Sequence, residues 1–307
     1  MSVATTTFDG DDAKDPPGYD ILDVVGEDGL AVVYRARQRS LNRVVAIRTS
    51  RAMPSSQEVR CLTWEAAVLS RLRHPHVVAI LDRLEFGGRV WLVLEYAEGG
   101  TLAARTAGRP QPARPAVTLV ERLARTLAYV HRSGITHCDL KPRNVLLAVA
   151  PAAGAAGRAD SSDCEDVYGI PLLSGFELAL DSQRRTDLSE GEVRGTPAYM
   201  APEQALGRHQ VVGPATDIYG LGAILYELLT GRPVFRAPTV FDVLKRVMQD
   251  EPEPVRELNA GVDRDLEAIC RKCLHKDPAR RYADGLELAC ELRAYVDGLS
   301  TRRWFWK

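Results

Sequence analysis

Residues 217–230, Asp-Ile-Tyr-Gly-Leu-Gly-Ala-Ile-Leu-Tyr-Glu-Leu-Leu-Thr, are apolar nearly all round a helical wheel. A helix with no polar face cannot lie on a surface and has to be enclosed by other elements. Gly231 and Pro233 supply its stop signals. This segment therefore demands a helical body large enough to surround it. The neighbouring patterns meet that demand. Residues 116–131 carry Val120, Leu123, Leu127 and Val130 at helical spacing. A further helix is expected over 240–248, after Thr239 as N-cap, and amphipathic helices over 265–274 and 286–296.

The first third of the chain has a different period. Residues 19–25, 31–36 and 44–49 are short β-branched runs separated by turns. Residues 59–72 place Leu62, Ala66 and Leu69 on one helical face. Strand patterns return at 77–84 and 90–94, joined by a turn at Gly87-Gly88. The change from period two to period 3.6 falls at Gly99-Gly100. The expected class is α+β: a small β-rich part with one helix, then a larger helical part.

Composition is ordinary for a folded protein, with 45% hydrophobic and 26% charged residues in 307. A formal net charge of −1 offers no footing for nucleic acid or an anionic membrane surface. No run of about 20 apolar residues could span a bilayer. Cysteines 61, 138, 164, 270, 273 and 290 are scattered, and no secretory signal precedes them. They read as reduced thiols in the cytoplasm. Cys270 and Cys273 have metal-like spacing, but the run around them has an apolar helical face, so a core helix is the reading.

Three segments lack periodicity. Residues 1–18 read as a disordered leader, 148–166 as a flexible insertion, and 299–307 as a short basic aromatic tail. Ser161 and Ser162, beside acidic residues, are candidate phosphoacceptors in the insertion.

The polar motifs are more specific than the pattern. His137-x-Asp139-x-Lys141-x-x-Asn144 sets four polar residues at fixed offsets in one loop. Gly195-Thr-Pro-Ala-Tyr-Met-Ala-Pro-Glu203, Asp217-Ile-Tyr-Gly-Leu-Gly222 and Lys276-Asp-Pro-Ala-Arg-Arg-Tyr282 follow in order. Together these resemble the eukaryotic-like (Hanks-type) serine/threonine protein kinases, particularly the bacterial branch, over about residues 19–298. The resemblance implies a two-lobed protein-kinase fold, with an N-lobe over about 19–97 and a C-lobe over about 98–298. It implies that Asp139 orients a substrate hydroxyl, with Lys141, Asn144 and Thr196 around it. It implies an adenine site of Val33, Ala46 and Leu146, a gatekeeper at Leu94, and hinge backbone groups from Glu95 and Ala97. Leu69, His137 and Phe176 would belong to the column linking the lobes, and Arg281 would pair with Glu203.

The phosphate and metal positions depart from that pattern. The glycine-rich loop reads Gly26-Glu27-Asp28-Gly29-Leu30-Ala31, with two pattern glycines replaced by Asp28 and Ala31. Glycine lets backbone N–H groups approach phosphate. A carboxylate at about 5 Å from a phosphate charge costs roughly 3 kcal/mol at an effective dielectric near 20. The third-strand lysine is Arg48, whose planar guanidinium is a poor substitute for a point charge between phosphates. Its expected partner is Glu65. Cys138 takes the place of the arginine before the catalytic aspartate. The metal-holding aspartate is replaced by Gly175 in Ser174-Gly-Phe-Glu177, which leaves Asn144 as the remaining ligand.

The resemblance with these departures implies a pseudokinase that binds a protein partner or substrate, an active kinase among the candidates. ATP binding is expected to be weak or absent, and magnesium is not expected. The alternative is an atypical active serine/threonine kinase, with Arg48 and Lys141 on phosphate and Asn144 with Glu177 on metal.

Overall fold

The structure is a computed structural model and describes residues 15–27, 31–50, 55–149, 167–182, 191 and 193–298. The chain forms two compact units: residues to Thr63 with Ile80–Tyr96, and Trp64–Ala79 with the chain from Ala97 onward. The expected leader as far as residue 14, Asp28–Leu30, most of the expected insertion (150–166) and the tail lie outside the described residues.

The smaller unit is a five-stranded antiparallel sheet of β1 (Tyr19–Glu27), β2 (Ala31–Gln38), β3 (Arg43–Ser50), β4 (Ile80–Phe86) and β5 (Arg89–Glu95). Its strand order is β1-β2-β3-β5-β4. Alternation along the strands separates two faces. Tyr19, Ala36, Val45, Ile47, Trp91 and Val93 form one packed cluster. Val33, Ala46, Arg48, Leu92 and Leu94 lie on the other face, as their cross-strand pairing shows. Gly87 and Gly88 both have positive φ in the β4–β5 turn, the geometry of a tight hairpin.

Helix α1 (Ser56–Arg71) begins three residues before the apolar pattern does. The cause is a capping box: Ser55 Oγ accepts from Glu58 N at 3.2 Å, and Glu58 Oε2 accepts from Ser55 N at 2.6 Å.

The larger unit holds α2 (Leu102–Thr106), α3 (Ala113–Arg132), α4 (Pro202–Ala205), α5 (Pro214–Thr230), α6 (Val240–Gln249), α7 (Val255–Leu258), α8 (Arg264–Cys273) and α9 (Gly285–Val296). Helix α5 is buried almost throughout, as its lack of a polar face requires. It ends at Gly231 in the left-handed conformation, whose N–H bonds Glu227 O. Gly222 sits where a Cβ would lie 2.5 Å from Cys273 Cβ, so glycine there lets α5 and α8 approach. Cys270 and Cys273 are buried core residues of α8, and burial raises both thiol pKa values, that of Cys273 to about 12. Thr239 caps α6 as expected, accepting from Asp242 N.

Four short strands complete the unit. Strand β6 (Ile135–Thr136) pairs with β9 (Leu180–Asp181), and β7 (Val145–Ala148) pairs with β8 (Ile170–Leu173). Ala148, expected to open the insertion, belongs to β7 and pairs with Ile170.

Glu203 and Arg281 form a bidentate pair at 2.7 and 2.8 Å, with side chains only 3% and 0% exposed. Every guanidinium nitrogen is engaged, with further bonds to His275 O, Ala215 O and Lys276 O. Arg281→Met therefore leaves a buried carboxylate without its cation. Chemical denaturation of that variant should show a loss of about 3–5 kcal/mol. A loss below about 1 kcal/mol would show that water reaches Glu203 and that the pair is not structurally required.

Candidate functional site

The loop 137–144 is fixed by a buried charge. Asp217, in the first turn of α5, accepts from His137 N at 2.8 Å and from Cys138 N at 2.9 Å. His131 Nε2, on α3, bonds the same carboxylate at 2.8 Å. Cys138 has φ +67, a left-handed conformation that costs a non-glycine residue about 1–3 kcal/mol. Its N–H is held by Asp217, and its carbonyl accepts from Gln204 Nε2 at 2.7 Å. Burial, then the neighbouring Asp217 charge, pushes the Cys138 thiol well above its usual pKa, so it remains a neutral packing group.

His137 ties the loop to the segment at 174–176. Its Nδ1 accepts from Asp139 N at 3.2 Å, which leaves Nε2 to carry the proton and donate to Ser174 O at 2.9 Å. The His137 ring packs on Phe176, with centroids 4.5 Å apart. Ser174 in turn bonds Asn144 O through both its N–H and its hydroxyl.

These supports place Asp139, Lys141, Asn144 and Thr196 in one network. Lys141 Nζ donates to Asp139 Oδ2 at 2.5 Å and to Thr196 Oγ1 at 2.8 Å. Thr196 Oγ1 donates to Asp139 Oδ1 at 3.0 Å. Asn144 Nδ2 donates to Asp139 O at 2.8 Å and to Asp139 Oδ2 at 3.1 Å. The Asp139 carboxylate is thus buried and held by three side-chain donors. Such a group is oriented to accept a hydroxyl proton or hydrogen bond once a substrate displaces one of them.

Gly175 lies directly beside this network, with φ +80. A Cβ built on it would sit 2.5 Å from both Cγ and Nδ2 of Asn144 and 2.8 Å from Oδ1. The space a side chain would need there is filled by the Asn144 amide. The donor set does not fit a hard divalent cation, which takes several oxygen ligands. Gly175 offers no side-chain oxygen, so the Asn144 amide oxygen is what remains of the two family ligand positions, its nitrogen being bonded to Asp139. No cluster of three His, Cys, Asp or Glu side chains suited to a metal occurs among the described residues.

The remaining candidates are distributed between the two units. In the smaller one, Gly26, Val33 and Arg48 stand in one cross-strand row of β1, β2 and β3. Ala46 stands opposite Leu94, and Glu95 closes β5 opposite Val45. Gly29 and Asp28 lie outside the described residues. In the larger unit, Glu65 is a buried α1 residue, Ala97 is buried, and Leu146 is half-buried on β7 opposite Leu172.

Three anchors carried no local sequence signal. Asp217 was legible as the opening of α5 but not as the support of the loop. Gln204 and Ser174 hold the loop through partners 66 and 30 residues away. The available clue was a charged residue at the head of an otherwise apolar, enclosed helix, since a buried carboxylate needs donors.

The sequence matches the protein kinase domain family over residues 19–292. It is 31% identical to serine/threonine-protein kinase PrkC of Bacillus subtilis over 91% of this chain and 40% of that protein. It is 31% identical to serine/threonine-protein kinase PknB of Mycobacterium leprae over 89% of this chain and 42% of that protein. A probable serine/threonine-protein kinase of Clostridium perfringens is 30% identical over 89% of this chain and 38% of its own length. The chain thus spans about two-fifths of the length of these curated relatives. With its five-stranded antiparallel sheet and its helical unit, the chain belongs to the protein kinase domain family, among the Hanks-type serine/threonine kinases of bacteria.

Proposed function

We propose that this chain is a degenerate kinase domain that binds a protein partner and transfers phosphate negligibly or not at all. The observation that carries this reading is Gly175 under the Asn144 amide. In the family, the residue there chelates the magnesium that bridges the phosphates. Arg48 in place of lysine is the second lesion. Loss of one preorganised electrostatic group costs about 10²–10³ in rate. Two independent losses multiply to roughly 10⁴–10⁶, and sharing the same phosphates lowers that figure. Against turnover of about 1–100 s⁻¹ for kinases, little transfer remains. The framework that binds protein segments is kept: the Asp217 anchor, the Glu203–Arg281 pair and the enclosed α5.

Under this reading ATP binds weakly or not at all, magnesium is not recruited, and the partner or substrate is a protein, with an active kinase among the candidates. Near-neutral net charge argues against nucleic acid. No helix among the described residues is long and apolar enough to cross a membrane. A cytoplasmic setting is part of the proposal and rests on the scattered cysteines. A second reading, low-turnover serine/threonine transfer, is favoured by the intact network of Asp139, Lys141, Thr196 and Asn144.

Two measurements separate the readings. In thermal melting with ATP, adding Mg²⁺ or Mn²⁺ should leave the small nucleotide-induced shift unchanged. A clear metal-dependent rise in Tm contradicts the proposal, because a ligand stabilises only what it binds.

Restoration is the converse test. Gly175→Asp meets two obstacles: the left-handed φ, which aspartate tolerates better than most residues, and the Asn144 amide, which has to swing away. Arg48→Lys with Gly175→Asp should therefore give partial phosphate transfer to a generic serine/threonine substrate, and Asp139→Asn in that background should abolish it. Equal transfer by the unmodified chain and the double variant would remove Gly175 and Arg48 as the lesions.

A further inference from the structure

The turn between α1 and β4 reads His74-Pro75-His76. It is closed by Val77 N, which bonds His74 O at 3.1 Å. Within it, His74 Nδ1 accepts from His76 N at 3.1 Å. The His74 ring lies on Tyr129 of α3, with centroids 4.9 Å apart, and 5.7 Å from the His76 ring. The Tyr129 hydroxyl oxygen accepts from Arg73 N at 2.8 Å, so the turn is fastened to α3 at two points.

The same turn grips β8. His76 O accepts from Leu173 N at 2.8 Å, and Leu173 O accepts from Val78 N at 2.9 Å. His76 Nδ1 donates to Pro171 O at 2.8 Å, since a carbonyl can only accept. Strand β8 runs directly into Ser174, which bonds Asn144 O and accepts from His137. The turn thereby holds the segment that carries Gly175 and Phe176 from the side away from the catalytic loop.

A ring nitrogen that accepts from an amide carries no proton, whereas an imidazolium has a proton on both nitrogens. Protonating His74 therefore sets a donor against the His76 N–H and breaks that bond. The new charge would sit beside His76 and Arg73 on the turn, and beside Tyr129 and, one helical turn on, Arg132 of α3. Arg71, at the end of α1, is another cation and is paired with Asp181. Strand β8 brings only backbone groups to the turn. His74 has no carboxylate partner among the described residues. Burial, then His76 and Arg132, lower its pKa from the usual value of about 6.5. Its contribution is thus present above that pH and is lost as the pH falls through the lowered value of the folded chain.

We propose that His74 and His76 form an acid-sensitive clasp, which holds β8 and the segment 174–176 while His74 is neutral and releases them when His74 gains a proton. The clasp acts on the position of that segment and does not depend on whether the chain transfers phosphate.

Hydrogen exchange of the full chain, read by mass spectrometry at about pH 7.5 and about pH 5, brackets the titration. After correction for intrinsic rates, the amides of residues 172–175 should lose about tenfold in protection at the lower pH, the worth of roughly one hydrogen bond. The amides of α5 should keep theirs. His74→Asn retains an oxygen that accepts from the amide two residues on, as in an Asx turn, and cannot titrate. Its protection at 172–175 should be the same at both pH values. If His74→Asn melts early, Arg132→Gln serves instead: loss of that cation should move the release to higher pH. Protection independent of pH in the unmodified chain, a fall shared equally by α5, or an equal fall in His74→Asn overturns the proposal. So does an unmoved release in Arg132→Gln.

Discussion

The rest of the site depends on the Asp217 carboxylate. It is buried at the head of a helix that is itself enclosed, and it accepts from two successive backbone amides and a histidine. A buried carboxylate without donors would be prohibitive, so the loop is driven onto it. The loop then accepts a left-handed Cys138 and presents Asp139 in one orientation. Because α5 is held by α3 and α8 around it, the position of Asp139 is inherited from the core of the larger unit. The surface loop has little freedom of its own.

That dependence separates two kinds of requirement. Positioning comes from packing and hydrogen bonds, and these are intact from Asp217 through His137 to Ser174 and Asn144. Charge chemistry comes from a few side chains aimed at phosphate and metal. Under the proposed reading, Gly175 and Arg48 change those while the hydrogen-bonded frame stays in place. The Asn144 amide nitrogen bonds Asp139, and the amide lies where a side chain at residue 175 would stand. A chain can lose the second requirement and keep a stable surface for binding. It cannot lose the first and remain folded.

The sequence revealed what is periodic or set at fixed offsets. The enclosure of α5 followed from its lack of a polar face, the helical stop from Gly231, and the core role of Cys270 and Cys273 from their apolar surroundings. Asp139, Lys141 and Asn144 were recognisable by their offsets and Thr196 by the family resemblance of its run, and they do converge. Apart from the Glu203–Arg281 pair, which the family resemblance implied, what escaped were contacts between distant residues. The bond from His137 to Asp217 spans 80 positions, and that from Tyr199 to Glu227 spans 28. The early start of α1 was missed because a capping box at Ser55 and Glu58 is polar and precedes the apolar pattern. The glycine at 222 read as part of a motif, while its physical reason, the approach of Cys273, needs the packed helices.

The central claim is that a correctly built catalytic loop is present without the charges that phosphate transfer needs. Single-turnover transfer from γ-labelled ATP with Mg²⁺, at saturating enzyme, tests it most directly when the unmodified chain is compared with its Asp139→Asn variant. The account predicts that the two traces are indistinguishable from each other and from a blank without protein. Measurable transfer by the unmodified chain that vanishes in Asp139→Asn would contradict it.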